Sequence, residues 1–308
     1  MKKVFLFVVF LLSGLLAGAQ DTYQFAQRDT LALYMDIYDA TPGSETTCQG
    51  LPKPAVLFVF GGGFKMGDRS DDFYLEWFAT LNDNGYNVVT IDYRLGMKDY
   101  QVGKGLANLF KSADRFYYSQ QIAVEDVYSA VSFLADNREE LGIDPYNLVI
   151  AGCSAGAITA LAAEYGIVNG EAKGLPEGFN FRGVMSFAGA IMSMNGAPRY
   201  KTKPCPTLLL HGTADGAVPY DHTSFLGKGV WGSSYLVKKL EQAGADYCIY
   251  RYVDCTHDVA CFMQTAWNLE KDFLEKSVIQ GARYVVDATI DDSSLPSWFG
   301  NITTDDIY

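Results

Sequence analysis

The sequence is poor in histidine, in basic charge and in long hydrophobic runs, and each shortage narrows what the chain can do. Its 308 residues include 3 histidines, and 24 lysines and arginines face 36 aspartates and glutamates, which gives a formal net charge of −12. Nucleic acid and anionic lipid surfaces are poor partners for such an acidic chain, so we expect neither. Beyond the N-terminus, no stretch approaches the length of a membrane span.

The six cysteines show no C-x-x-C pair, so their spacing does not indicate a zinc site. In an exported chain they could form disulfides, although sequence alone does not settle which ones pair. Two pairs are suggested by position, Cys205 with Cys248 near the starts of two neighbouring strands and Cys255 with Cys261 around a histidine. Cys153 is expected to be a small, buried and free thiol.

The N-terminus has the pattern of a secretory signal peptide. Two lysines precede an apolar stretch, residues 4–16, which is followed by Ala17-Gly18-Ala19, the small residues of a cleavage site. We therefore expect residues 1–19 to be removed and the mature protein to be exported, periplasmic or secreted, without stable membrane insertion. An uncleaved N-terminal anchor is the alternative. Residues 20–308, which show no internal repeat or linker, are predicted to form a single α/β catalytic domain.

Short apolar runs alternate with helical patterns along the chain. The runs that predict strands are residues 31–38 (antiparallel), 55–60, 86–92, 148–151, 183–188, 206–211 and 248–253. The segments that predict helices are residues 73–84, 121–140, 155–164, 235–242 and 262–279. Residues 96–118, rich in aromatics, are expected to be an irregular insertion, and the tail from residue 282 less regular. This alternation predicts a mostly parallel sheet with helices on both faces, whose carboxyl edge holds the ligand.

One motif lies between a predicted strand and a predicted helix, Gly152-Cys153-Ser154-Ala155-Gly156. A serine at such a turn takes a strained backbone conformation that pushes its hydroxyl above the sheet. The residues two positions either side must lack side chains, because strand and helix cross closely there. The motif therefore predicts a nucleophile elbow with Ser154 as the nucleophile. An ordinary serine in a glycine-rich turn is the alternative.

A serine needs a base, and a histidine base needs an acid to orient it. His257 follows a late strand, where a side chain can reach back across the sheet, so it is the predicted base. His211 ends a core strand, where packing or hydrogen bonding is the favoured role, and His222 lies in a loop. Asp215 directly follows the strand at 206–211 and is the predicted acid. Asp221 and Asp254 are weaker candidates, because neither directly ends a predicted strand.

Three consecutive glycines follow the strand at 55–60. Glycines let the backbone turn and aim its N–H groups into open space, although a flexible loop would also explain them. When Ser154 attacks a carbonyl, the charge that develops on oxygen must meet donors that are already in place. The N–H groups of Gly62, Gly63 and Ala155 are the predicted oxyanion hole.

These motifs together resemble the hormone-sensitive-lipase-like carboxylesterase group of α/β hydrolases, which includes esterases acting on small acyl and feruloyl esters. The resemblance extends from about residue 31 to residue 280. The matching motifs are Gly61-Gly-Gly-Phe64 with Gly67, Asp92-Tyr-Arg-Leu95, the serine motif, His211-Gly-Thr-Ala-Asp215 with Val218-Pro219, and His257. It implies a serine hydrolase of carboxylic esters (small acyl, acetylated sugar or feruloyl-type) that works through an acyl-enzyme and needs neither a metal nor an organic cofactor.

Two features depart from that group. Phe60 stands where the group usually has a histidine before the glycines. A phenylalanine cannot anchor the loop by hydrogen bonds, so the sequence does not show what holds this loop. The large cap domain of some relatives is not evident, which suggests a fairly open cleft. Two other functions are considered, a prolyl-oligopeptidase-type peptidase and a non-catalytic binding protein on the hydrolase scaffold. The propeller of such peptidases is absent, and the complete predicted triad argues against a binding protein.

Overall fold

The computed structural model describes residues 20–44, 46–47, 50–103, 106–298, 300 and 302–308. The predicted signal peptide, residues 1–19, lies outside them. The strands are β1 (Gln20–Arg28), β2 (Leu31–Tyr38), β3 (Ala55–Val59), β4 (Val88–Ile91), β5 (Leu148–Cys153), β6 (Gly183–Phe187), β7 (Ala190–Ser193), β8 (Thr207–Gly212), β9 (His222–Phe225), β10 (Lys228–Gly232), β11 (Tyr247–Tyr252) and β12 (Val286–Ile290).

The α-helices are α1 (Asp72–Asp83), α2 (Leu106–Asp136), α3 (Arg138–Leu141), α4 (Ala155–Val168), α5 (Ser233–Gln242), α6 (Trp267–Phe273) and α7 (Thr304–Ile307). A 3₁₀ helix spans His257–Cys261, and a π-helical turn, Leu274–Ile279, continues α6. No helix of the described residues is both long and apolar enough to cross a membrane.

A nine-stranded sheet forms the centre of the protein, in the order β1-β2-β4-β3-β5-β6-β8-β11-β12. β1 with β2 and β2 with β4 pair antiparallel, and the other neighbours pair parallel. The central strands β3, β5 and β6 are buried along their whole length, which explains their continuous apolar sequence. The predicted fold class is confirmed.

Helices cover the two faces of this sheet. On one face α1 and α6 meet where the Trp77 indole N–H donates to Glu270 (2.7 Å). On the other face α2 packs on α4, and the phenol of Tyr128 donates to the carbonyl of Ala163 (2.8 Å). Helix α4 follows the serine turn and is buried over nearly its whole length, so it lies at the centre of the domain.

The prediction of an irregular segment at residues 96–118 is wrong over its second part, because α2 begins at Leu106. Its dense aromatics suggested a rim loop, yet residues 106–118 contain no proline or glycine to interrupt a helix. The helix predicted over 262–279 begins only at Trp267, after the 3₁₀ helix. The tail is more regular than expected, because β12 adds a parallel strand beside β11.

A second, three-stranded sheet was not predicted. Its order is β7-β10-β9, and both pairings are antiparallel. The hairpin of β9 and β10 contacts the N-terminal part of α2. The ring centroids of Phe225 and Phe110 lie 5.8 Å apart there. Lys228 forms an ion pair with Asp114 (2.6 Å) on the same helix.

Both suggested disulfides are wrong, because Cys153, Cys205, Cys248, Cys255 and Cys261 are all free thiols. Cys248 pairs in register with Leu208, which lies three residues beyond Cys205. Cys205 and Cys248 are therefore about 10 Å apart along the strands. A disulfide needs Cα atoms within about 7 Å. The expectation of a buried free thiol at Cys153 is confirmed.

Candidate active site

The serine turn has the strained geometry that the motif predicts. Ser154 lies between β5 and α4 with φ 52° and ψ −119°, a conformation that a non-glycine residue rarely adopts. A Cβ added at Gly156 would overlap the carbonyl oxygen of Val59, and one added at Gly152 would overlap the backbone of Gly156. Both glycines are therefore required by the close crossing of strand and helix.

The structure brings the three predicted triad side chains together. The Nε2 atom of His257 lies 2.8 Å from the Oγ of Ser154, and its Nδ1 lies 2.8 Å from the Oδ2 of Asp215. A carboxylate oxygen only accepts, so Nδ1 carries the proton and Nε2 is free to accept from the serine hydroxyl. This is the tautomer that general-base catalysis requires.

Asp215 is held by donors on both of its oxygens. Its Oδ1 accepts the backbone N–H groups of Ala217 and Val218, both at 2.9 Å, while its Oδ2 lies 2.8 Å from His257 and 3.3 Å from the Nε2 of His211. Burial would raise the pKa of this carboxyl. The hydrogen bonds and charges of His211 and His257 outweigh burial and hold the pKa well below its usual range.

His211 is buried at the end of β8, and its surroundings fix its own tautomer. Its Nε2 faces two acceptors, Asp215 and the carbonyl of Val218 (3.1 Å), so that nitrogen carries a proton. Its Nδ1 lies 2.8 Å from the Oγ of Ser233, whose hydroxyl donates to it when the ring is neutral. The expected hydrogen-bonding role of His211 is thus directed at Asp215, the predicted acid, and the sequence did not reveal this partner.

The other candidates lie apart from this chain of contacts. His222 is on the exposed strand β9, where its Nδ1 lies 3.1 Å from Asp221. Asp254 lies in the turn after β11 with φ 53°. Neither of these carboxylates meets His257.

The glycine loop after β3 is held through its carbonyls. In a trans peptide the C=O and the next N–H point in opposite directions, so fixing one aims the other. The phenol of Tyr93 donates to the carbonyls of Phe60 (3.0 Å) and Gly61 (3.3 Å), which orients the N–H of Gly62. The carbonyl of Gly62 accepts the N–H groups of residues 65 and 66, which orients the N–H of Gly63.

Tyr93 also explains why Phe60 can stand where the related group has a histidine. The two rings pack with their centroids 4.5 Å apart, and both side chains are buried. The loop is thus anchored by Tyr93, from the turn after β4. The related group instead has a histidine at the position of Phe60. The sequence placed Tyr93 in a motif but gave no signal of this contact. Ala155, the third predicted donor, is the first residue of α4, where backbone N–H groups and the helix dipole favour negative charge.

Cys153, next to the serine, does not compete as a nucleophile. Burial raises the pKa of its thiol to about 11, and its Sγ lies 3.5 Å from the phenol of Tyr74.

Among the described residues, no group of three or more histidine, cysteine or acidic side chains is arranged to hold a metal ion. A polar groove of about 1220 Å³ lies between α2, α4 and β7, and no triad residue lines it.

The fold, the matched sequence profile and the relatives make the chain similar to carboxylesterases of the α/β-hydrolase fold. The sequence profile of the Carboxylesterase family matches residues 19–163, which hold the glycine loop and the serine turn.

Individual relatives match over part of the chain. The sequence is 31% identical over 112 residues to lipase 2 of Moraxella sp. (strain TA144), which is 36% of this chain and 21% of that protein. It is 26% identical over 134 residues to chlorogenic acid esterase of Aspergillus niger, which is 44% of this chain and 24% of that protein. The matched segments are thus less than a quarter of each of these relatives.

The structure is similar to that of esterase 2 of Thermogutta terrifontis, with a TM-score of 0.58 and 19% sequence identity. The match covers 83% of this chain and 94% of the other. At this identity the likeness is one of fold.

Proposed function

We propose that this protein is an exported serine hydrolase that cleaves carboxylic esters through an acyl-enzyme. The observation that carries the proposal is the continuous set of contacts from Ser154 through His257 to Asp215, each 2.8 Å long. A Cβ added at Gly61 would lie 3.3 Å from the Cβ of Ser154, so the set lies beside the glycine loop, whose peptides are fixed. The esterases among the similar proteins support the same reaction.

The reaction follows from these positions. The Oγ of Ser154 attacks the ester carbonyl while its proton passes to Nε2 of His257, and Asp215 stabilises the imidazolium that forms. The N–H groups of Gly62, Gly63 and Ala155 stabilise the oxyanion. The C–O bond to the alcohol then breaks, and His257 gives the departing alcohol its proton. Water, deprotonated by His257, attacks the acyl-enzyme; the bond from the acyl carbon to Oγ breaks, His257 returns the proton to Ser154, and the acid leaves.

The substrate we propose is a small-molecule or carbohydrate ester with a short acyl or feruloyl-type acid. One relative is named for chlorogenic acid, and the structural neighbour has been solved with propionate and with butyrate bound. Export rests on the predicted signal peptide, and sequencing the N-terminus of the protein recovered from the periplasm or medium tests it. A mature chain that begins at Met1 would contradict cleavage.

A fluorophosphonate probe tests the function directly, because it reacts with activated serines. The wild-type protein should gain one adduct at Ser154 and hydrolyse p-nitrophenyl acetate, while Ser154→Ala should lose the adduct and on the order of 10⁴-fold or more in turnover. Ser186→Ala, at a buried serine on β6, serves as the control for loss of a serine hydroxyl. Faster hydrolysis of aminoacyl anilides than of esters would indicate a peptidase, and absence of labelling would indicate a binding protein.

A further inference from the structure

The last residues of the sequence pack onto the loops that carry the triad. Residues 303–308, called the strap below, begin with a capping box in which the N–H and hydroxyl of Thr303 both donate to Asp306 (2.8 Å each), so they form the single turn α7. Thr303 forms a bridge with Gly216, next to the catalytic acid, and the hydroxyl of Thr304 donates to the carbonyl of Ala217 (3.2 Å). One end of the strap is therefore fixed to the acid loop.

The other end of the strap is fixed to the glycine loop. The phenol of Tyr308 donates to the carbonyl of Gly63, and the Nζ of Lys65 donates to the carbonyl of Ile307 (3.2 Å). The ring of Tyr308 also packs edge-on against Phe116 of α2, with centroids 4.7 Å apart. Burial raises the pKa of the Tyr308 phenol, which keeps it protonated and a donor.

The two anchors lie on opposite sides of the nucleophile. The glycine loop follows β3 and the acid loop follows β8, and the strands between them are β5 and β6. Three strand spacings amount to about 14 Å, a distance that one helical turn and an extended tyrosine side chain can bridge. The strap thus runs along the carboxyl edge of the sheet past the end of β5, where Ser154 lies.

The segment before the strap contacts the third loop of the site. The hydroxyl of Thr256 donates to the carbonyl of Gly300 (2.6 Å), and the N–H of Trp298 donates to Asp258 (2.6 Å). These two loop residues flank His257. The tail therefore contacts the histidine, acid and glycine loops in turn.

We propose that Tyr308 is a positioning residue for the oxyanion loop and that the strap limits the size of the ester group that reaches Ser154. The proposal rests on the proposed esterase function. Four carbonyls of the loop, those of residues 60, 61, 62 and 64, are fixed by Tyr93 or by backbone N–H groups, and Tyr308 fixes that of Gly63. Without Tyr308, the carbonyl of Gly63 loses its donor, so the backbone of Gly63, whose own N–H is a predicted oxyanion donor, is held from one side only, and the space beside it opens.

Two variants separate positioning from size selection, measured with p-nitrophenyl acetate, butyrate and octanoate. Tyr308→Phe removes the hydrogen bond but keeps the ring, so kcat should fall about five- to tenfold for every ester with KM nearly unchanged. Tyr308→Ala also removes the ring, so the ratio of kcat/KM for octanoate to that for acetate should rise at least about fivefold. The matched control is Tyr146→Phe, whose phenol donates to the carbonyl of Glu177 (3.2 Å) in an exposed position.

Amide hydrogen exchange of residues 61–67 gives a readout that does not depend on turnover. Exchange there should be faster in Tyr308→Ala than in wild type, with residues 148–153 of β5 unchanged. The proposal would be overturned if loop exchange in Tyr308→Ala equalled that of wild type. It would also be overturned if the kinetic constants and ester ratios of both variants were within twofold of wild type. If the wild-type protein neither hydrolyses esters nor reacts with the fluorophosphonate, the esterase function fails, and unchanged exchange would separately refute positioning by Tyr308.

Discussion

The Nε2 atom of His211 lies 3.3 Å from the Oδ2 of Asp215, the same oxygen that faces His257 at 2.8 Å. Two imidazole rings thus share one buried carboxylate, and of the two only His257 faces Ser154. The second ring holds Asp215 in place and takes up part of its negative charge. Removing either effect should change catalysis in a way that a pH profile can resolve.

His211→Leu should shift the acidic limb of kcat/KM towards higher pH by about half a unit to one unit. Without the second donor, the charge of Asp215 acts on His257 alone and favours the imidazolium, so the neutral base is lost at a higher pH. His211→Gln can retain an N–H aimed at Asp215 and should lie closer to wild type. A profile in which both variants coincide with wild type would show that His211 serves packing alone.

Tyr93→Phe should lower kcat about tenfold and the free energy of unfolding by about 1 kcal/mol, because the carbonyls of Phe60 and Gly61 lose their donor. Tyr128→Phe is the matched control, since it removes another buried phenol that donates to a carbonyl, far from the site. It should cost similar stability and leave kcat unchanged. Equal losses of kcat in the two variants would argue against anchoring by Tyr93.

Phe60→His should not raise turnover, even though it restores the residue that the related group carries. Tyr93 already holds the loop, and an imidazole would replace a well-packed ring against it. Thermal unfolding and p-nitrophenyl acetate kinetics test this, and we expect a lower midpoint with kcat at or below that of wild type. A gain in kcat would mean that the tyrosine anchor is incomplete.

Glu164→Gln should stabilise the protein at pH 8 and have little effect at pH 4.5. Burial raises the pKa of this carboxyl to about 7. The folded state therefore holds a proton that the unfolded state releases above about pH 4.5, so stability falls as pH rises between these values. The difference at pH 8 should approach roughly 3 kcal/mol at most. Urea unfolding at both pH values measures it, with Glu241→Gln, at an exposed position, as the control.

Gly156→Ala should prevent folding or cost more than about 3 kcal/mol, because the added methyl group would overlap the carbonyl of Val59. Gly142→Ala provides the comparison, since its Cβ would meet nothing within 4 Å and only its φ of 65° is unfavourable. That variant should lose about 1 kcal/mol. Comparable stability of the two variants, measured by urea unfolding, would mean that the helix can move away from β3.

The parts of the site that follow from local sequence were predictable. The serine turn is a single short motif whose glycines are demanded by sterics, and the structure shows those steric overlaps directly. Asp215 and His257 could be placed because each follows a strand, and the carboxyl ends of parallel strands lie at one edge of the sheet.

The parts that depend on long-range contacts were not predictable. The contact of Tyr308 with Gly63 joins residues 245 positions apart, and the aromatic spacing of the tail carries no information about its partner. The second sheet was missed for a similar reason, because strand β9 is exposed throughout and lacks the apolar pattern of a core strand. Composition misled in the case of residues 106–118, where aromatics on a helix resembled a loop.

The separation of 103 residues between Ser154 and His257 also has a consequence for biosynthesis. A nascent chain that has left the ribosome only as far as β8 already holds the serine turn and the glycine loop, but it has no base to activate the hydroxyl. The glycine loop gains its last anchor later still, when Tyr308 emerges. Hydrolytic capacity would therefore be acquired only after most of the central sheet has left the ribosome and has had time to assemble.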